Sequence, residues 1–282
     1  MKFKLLIISL IVSVPLIAAE TICRSNNRFA INIGEMAITD HYLSNQEYKG
    51  LSLGLDINHT NYYNNTDNRV SWQLYDHWRY GQFINPSYTA MIQYLGGNVG
   101  FASHYNWRPA KGLRLMAGGA IDIYGALKTQ SRNVNNPYSG DIQLNLLASV
   151  GAQYQLSWRK WALSFDYLAT TPLIGGMFVP EMGHSYYEIY LGIPQSLNDV
   201  THFTSFHNRQ GVKGNLSVNF ILPTVTLFVS MTHNHQWWQA NNLNFYIKEL
   251  SGQIGIALNL GIIKNQKNEK NTSHSPLNIH SF

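Results

Sequence analysis

The chain is patterned with a period of two. Between Leu250 and Ile263, Ile254, Ile256, Leu258, Leu260 and Ile262 alternate with Gly255, Ala257, Asn259 and Gly261. Successive side chains of a strand point to opposite faces. One face of this segment is therefore large and apolar, and the other is tiny or polar without charge. A soluble sheet would ordinarily carry charge on the face turned away from its core. Lipid on one side and a narrow, crowded interior on the other account for the pattern better.

The alternation recurs upstream. It runs through Thr224–Thr232, Asn215–Leu222, Trp161–Tyr167, Ile142–Trp158, Leu113–Tyr124, Leu51–Asn58 and Phe29–Gly34. Residues 70–80 and 88–107 alternate less cleanly, and Gly96-Gly97 reads as a bulge that shifts the face. Asn64–Asn68, Pro109–Gly112, Arg159-Lys160 and Leu222-Pro223 read as tight turns. Segments 38–49, 81–87, 129–140, 174–200 and 240–247 read as longer loops. Short turns alternating with long loops are the habit of outer-membrane barrels. The expected fold is all-β: a transmembrane antiparallel up-and-down β-barrel of about ten strands, twelve at most, with both termini on the periplasmic side.

The two ends of the chain fit that destination. Lys2 and Lys4 precede an apolar stretch, Leu5–Ile17, and Ala18-Ala19 follows. This reads as a cleaved secretory signal peptide over 1–19, too short to span as a helix. The barrel is then expected over 20–263, and the polar, low-complexity 264–282 as a disordered tail. Cys23 is the sole cysteine, so no internal disulfide forms. Glu20-Thr21-Ile22 before it lacks the small residue that lipidation requires.

Composition sharpens the reading. Hydrophobic residues make up 45% of the chain and charged ones only 12%, with seven Trp and seventeen Tyr. No uninterrupted apolar run beyond the leader is long enough for a membrane helix. A poorly charged, aromatic-rich exported chain without helical spans is satisfied by a closed barrel, which leaves no backbone group unpaired in lipid. The formal charge is +5, of which Lys2 and Lys4 supply two, and part of the rest lies in Lys264–Lys270. No nucleic-acid surface is indicated; the expected partner is outer-membrane lipid. Trp107, Trp158 and Trp161 flank tight turns and Trp237 and Trp238 lie near a long loop, as interfacial girdles require.

Four segments carry a resemblance: TDHYLSNQEYKG at 39–50, RLMAGG at 114–119, RNVNNP at 132–137 and FVPEMGHSYYEIYLG at 178–192. Together the chain resembles a family of Bacteroidota outer-membrane proteins of unknown function, over about residues 30–263. The resemblance implies an exported, barrel-forming chain and brings no activity with it. The closing strand here runs on into a polar tail instead of stopping at a terminal aromatic.

Interiors of about eight strands are filled by side chains and open channels appear at about sixteen, so a general porin is not expected. Asp56, Arg114, Asp122 and Asp166 fall on inward faces and must be paired there. Arg114 is expected to bridge to Asp122, or to an Asp of a neighbouring strand, and so plug the lumen. At the rim, Tyr186, Tyr187, Glu188, Glu181 and Tyr48, with Tyr42, Tyr138 and Tyr190, form a candidate surface for a glycan or lipid ligand. His202, Ser205, His207 and Ser185 are the candidates for an acyl-ester hydrolase acting on phospholipid or lipid A, since such chemistry needs a serine, a histidine to take its proton and a group to orient it. No nucleophile elbow accompanies them. His233, His235, Asp76 and His77 are the set with metal-ligand chemistry, and because His233 and His235 fall on the lipid face no metal or other cofactor is assigned. The sequence supports an integral barrel, structural or ligand-binding, with a plugged narrow lumen; a rim hydrolase and a narrow solute channel are the alternatives.

Overall fold

A computed structural model describes residues 22–263, except 64, 65, 67, 131, 135, 136, 159, 160, 182–187, 189, 190, 192–196 and 223. The expected signal peptide and polar tail lie outside the described residues. Eleven strands follow one another: β1 Ile22–Asp40, β2 Ser44–Tyr62, β3 Val70–Ile84, β4 Met91–Ala110, β5 Leu113–Gln130, β6 Tyr138–Ser157, β7 Ala162–Phe178, β8 Thr201–Thr204, β9 Arg209–Ile221, β10 Val225–Ala240 and β11 Leu243–Ile263. A single helical turn, α1 (Leu197–Val200), precedes β8. Among the described residues no helix is long and apolar enough to cross a membrane.

Every long strand pairs antiparallel with its sequence neighbours, β7 pairs both β6 and β9, and β1 pairs β11 from Ile22↔Ile263 to Asp40↔Phe245. Ten strands thus close a transmembrane barrel. The short β8 adds only to the far end of β7, over Gly175–Phe178, beyond the point where β9 leaves it at Lys213↔Thr170. The strands are strongly staggered. A row of partners followed from Leu163 of β7 through β9, β10, β11 and on round the wall returns to β7 at Gly176, well along the strand. Closure of a twisted sheet demands such a shear and tilts the strands.

The alternation sets the two surfaces. Outward positions such as Ile31, Leu53, Val99, Ile123, Leu144, Val229 and Ile254 are exposed, and inward ones such as Asn32, Ser52, Gln143, Ser217 and Ser251 are buried. A water-facing apolar belt of this extent would be an aggregation surface, and lipid removes that cost. Trp72, Tyr105, Trp107 and the stacked pair Trp158–Trp161 (centroids 4.0 Å apart) lie toward the end that carries both termini.

Several expectations change. Segments 38–49 and 240–247 are not long loops. β1 and β2 are joined by 41–43 alone, and β10 and β11 by Asn241-Asn242, both at positive φ (50° and 59°), the left-handed pair that a two-residue hairpin needs. Gly96-Gly97 makes no bulge, because β4 keeps an unbroken ladder through Arg79↔Gly96 and Trp78↔Gly97. The missing side chains instead make room: a Cβ on Gly96 would stand 2.3 Å from the Tyr94 hydroxyl, and one on Gly97 3.0 Å from the Trp78 ring. The register shifts occur at Thr39/Asp40, at Trp107/Ala110 and at Leu146/Leu147. At the last, Pro172 and Ile174 of β7 face successive residues of β6 and Leu173 is extra, so the inward phase passes from Thr170 and Pro172 to Gly175 and Met177. Proline cannot donate to the ladder, which favours a bulge there.

Candidate functional site

The lumen has two storeys. In the half nearer the termini it is a polar network. Asp56, Arg79 and Glu249 form its centre: Arg79 Nη1 donates to Asp56 Oδ1 at 2.6 Å, Nη2 to Oδ2 at 3.3 Å and Nε to Glu249 Oε1 at 2.8 Å. His77 Nδ1 lies 2.8 Å from Asp56 Oδ1, and Gln253 Nε2 donates to Oδ2. Gly54, opposite Arg79, leaves the space over which the guanidinium lies. Arg28 stands 3.8 Å above the Phe228 ring and donates to Asn219 Oδ1 at 3.1 Å. Asn219 Nδ2 in turn donates to Asp166 Oδ2 at 2.6 Å. Buried charges are tolerable only when surrounded in this way.

The four inward charges read from the sequence are all buried in this lumen. Asp122 accepts from Asn98 (3.0 Å) and Asn145 (2.9 Å), whereas Arg114 Nη1 donates to the Tyr62 hydroxyl at 3.1 Å. Arg114 and Asp122 are eight positions apart on β5, about 26 Å at the usual rise, and cannot meet. Arg114 is level with Gln153, which faces Asp166 across β6 and β7, and it is the charge of Arg114 together with that of Arg28 that acts on Asp166.

The other storey, at the end away from the termini, is apolar inside. Met36, Ile38, Tyr42, Leu43, Tyr48, Phe83, Ile92, Tyr94, Met177, Val179, Trp238, Ala240, Leu243, Phe245 and Ile247 form one buried cluster. Trp238 stacks on Phe245 with centroids 5.5 Å apart and meets Tyr124 edge-on at 6.3 Å. Trp238 therefore faces the lumen and is no part of a girdle. Beside the cluster Lys128 Nζ sits between Asp40 Oδ2 (2.5 Å) and Asp141 Oδ2 (2.8 Å). Between the storeys lies a cavity of about 100 Å³, walled by Met36, Tyr94 and Trp238 on one side and His77, Asp122 and Asn145 on the other.

Above the cluster the hairpins 41–43, 85–90 and 132–134 frame an open groove of about 720 Å³ lined by Ser44, Asn45, Gln46, Thr89, Arg132 and Asn133. Asn85 stitches its wall: its two Nδ2 protons are shared among Gln46 Oε1 (2.8 Å), Ser87 Oγ (2.9 Å) and Thr89 Oγ1 (3.0 Å), while its Oδ1 accepts from the backbone of Thr89 and Ala90. Tyr48, expected at a ligand surface, lies beneath this groove, buried, its hydroxyl accepting from Gln130 Nε2. Tyr42 is buried in the cluster and Tyr138 is exposed at the rim. Glu181 is exposed and Glu188 half-buried; Ser185, Tyr186, Tyr187 and Tyr190 lie outside the described residues.

Of the hydrolase candidates, Ser205 Oγ and His207 Nδ1 are 2.5 Å apart in the exposed link between β8 and β9. That link is a local turn. The Ser205 carbonyl accepts from Asn208 N and Arg209 N, and Asn208 Oδ1 accepts from Ser205 N. Among the described residues no carboxylate hydrogen-bonds His207, and His202 is not joined to the pair. For the histidines weighed as metal ligands, His233 meets the Tyr167 hydroxyl at 3.2 Å on the outside, while His77 is inside the lumen with Asp56. Asp76 faces outward between Leu74 and Trp78, away from both. No group of three acidic, histidine or cysteine side chains among the described residues is placed to hold a metal ion.

A family model described as "Protein of unknown function (DUF3316)" matches residues 5–267. No curated protein matches the chain. Among solved structures the chain is similar to the outer membrane protease OmpT from Escherichia coli, at 7% identity over 88% of this chain and 99% of that one, with a TM-score of 0.43. It is similar to Neisserial surface protein A, at 10% identity over 83% and 97%, TM-score 0.34. The translocator domain of the autotransporter NalP from Neisseria meningitidis follows at 7% identity over 92% and 94%, TM-score 0.37.

Proposed function

The chain belongs to the DUF3316 family of unknown function, and from that premise we propose that it is an integral protein of the bacterial outer membrane with a sealed lumen, serving as a rigid surface platform for a polyhydroxylated ligand. The observation that carries the sealed lumen is the buried apolar cluster across its far storey. A conduit for polar solutes would not be closed by Trp238, Phe245 and Tyr48 packed over ion pairs. The ligand reading rests on the groove above the cluster, whose amides and hydroxyls are the groups that hydrogen-bond sugar hydroxyls. Its wall is pre-organised by Asn85 rather than left to mobile loops, which lowers the ordering cost of binding.

Two measurements test this. In planar bilayers the wild-type barrel passes no current, and a variant with Trp238, Tyr48 and Phe245 all changed to Ala gives single-channel steps; wild-type steps of nanosiemens size refute the seal. A panel of neutral oligosaccharides titrated onto the micellar barrel should include a saturable binder that Gln46→Ala with Asn133→Ala weakens at least tenfold. Binding that ignores both substitutions places the ligand elsewhere.

A rim acyl hydrolase is the second reading, favoured by the Ser205–His207 hydrogen bond. It predicts release of fatty acid from phospholipid micelles that Ser205→Ala abolishes. A triad would need a third group on His207, and the local turn already explains the contact.

A further inference from the structure

We propose that the cavity between the two storeys is a binding site for one small oxyanion, a carboxylate or a phosphate, held by Arg209. The observations are geometric. Arg209 opens β9 and points into the barrel, where it is 7% exposed and lines the cavity. Among the described residues its Nε and Nη1 find no hydrogen-bond partner, and its one side-chain hydrogen bond, from Nη2 to Gln236 Oε1, is long at 3.4 Å. The guanidinium lies 5.3 Å from the centroid of the Trp238 ring, a contact that leaves its N–H protons unsatisfied. A buried guanidinium with two idle nitrogens is costly, and native interiors rarely leave such donors unmet.

The neighbouring carboxylates are engaged elsewhere. Asp122 and Asp141 are near enough for their charge to act on Arg209, but neither hydrogen-bonds it. Both oxygens of Asp122 accept from asparagines, and Glu249 Oε1 accepts from Arg79 and from Ser251. Lys213, on the same face of β9, adds a second positive charge to the wall. Between Arg209 and Lys213 stands Gly211, where a Cβ would lie 2.4 Å from Gln236 Oε1, so the glycine admits the amide that steadies the guanidinium. The space of about 100 Å³ exceeds the ~30 Å³ that one water occupies and suits an ion of a few heavy atoms. Guanidinium is the side chain best matched to carboxylate and phosphate. Met36, Tyr94 and Trp238 of the apolar storey wall the cavity on one side, and the anion needs no open conduit through the lumen.

The mature barrel is refolded into detergent micelles with sodium chloride, acetate or phosphate at matched ionic strength, and unfolded in urea with tryptophan fluorescence as the readout. The site predicts that acetate or phosphate, but not chloride, raises the midpoint saturably, and that Arg209→Gln weakens the effect at least tenfold. Arg108→Gln, whose guanidinium lies at the other end of the barrel on Tyr62, leaves it intact. Which oxyanion acts separates the carboxylate from the phosphate source. Should Arg209→Gln fail to fold, native mass spectrometry of the wild-type barrel decides: one retained acetate or phosphate supports the site. A barrel released without an anion overturns it, as does equal stabilisation by all three salts or an effect unchanged in Arg209→Gln.

Discussion

Replacing Trp238 by alanine removes the largest fully buried side chain. Deleting a buried tryptophan costs about 3–5 kcal/mol through lost transfer energy and the cavity left behind. Trp238 also stacks on Phe245, meets Tyr124 edge-on and underlies Arg209. Each aromatic pair is worth about 0.5–1.5 kcal/mol beyond area, and a desolvated cation over an indole about 2 kcal/mol. These contributions overlap with the transfer cost, so the expected loss is at the upper end, about 5 kcal/mol. At about 1.4 kcal/mol per tenfold, that is three to four decades in the folding equilibrium. Little relief comes from collapse, because the surrounding side chains are anchored on hydrogen-bonded strands. The assay is reversible urea unfolding in lipid vesicles, followed by the shift in electrophoretic mobility of the folded barrel. A loss below about 1 kcal/mol would refute the claim that the far storey is a packed apolar core.

Three other changes follow from the same geometry. Arg79→Ala strips Asp56 and Glu249 of their shared cation and should cost about 3–5 kcal/mol in the same urea assay; a loss under 1 kcal/mol would mean that water already carries those charges. Asp76→Val removes a carboxylate flanked by the exposed Leu74, Trp78, Ile57 and Val99 on the outer surface, and should stabilise the vesicle-embedded barrel by about 1 kcal/mol, less than a lysine or arginine would at that depth. Destabilisation instead would show that the carboxylate serves a contact. Gly112→Ala places a Cβ 2.5 Å from the Gln155 carbonyl oxygen at a φ of +76°, which should lower stability by about 1–2 kcal/mol; an unchanged urea midpoint would contradict the β4–β5 turn.

The barrel was legible because lipid imposes one rule on every strand at membrane depth, and Leu51–Ile57 or Leu250–Leu258 obey it without exception. Beyond the belt that rule lapses. On β1 the inward residues change from Asn32 to Met36 and Ile38, while Glu35 faces out; on β11 Phe245 and Ile247 face in and Lys248 out. A reader who looks for apolar-out, polar-in alternation therefore stops too early and takes the ends of β1, β2, β10 and β11 for loops. The same truncation hid Asp40, Lys128 and Asp141, which lie in segments that read as loops or beside them. Arg79 was missed, and His77 was weighed only as a metal ligand, for another reason: Asp76 interrupts the apolar face of β3 and obscures its phase. A signal was available, since Ser71, Gln73, Tyr75, His77 and Arg79 share one parity. Pairing is a matter of register as well as face. Arg114 and Asp122 share a face, yet only the register of β5, β6 and β7 shows that Arg114 is level with Asp166.

The central claim is that hydrocarbon covers the odd-numbered face of β1 and β2 and that side chains fill the even-numbered one. Nitroxide labels placed singly at Ile31, Ile33, Leu53, Leu55, Asn32 and Ser52 of the vesicle-embedded barrel test it through collision with dissolved oxygen and with a polar nickel chelate. The four isoleucine and leucine sites should collide with oxygen and not with the chelate, and Asn32 and Ser52 with neither. Chelate reaching the isoleucine and leucine sites, or no alternation between odd and even positions, would contradict it.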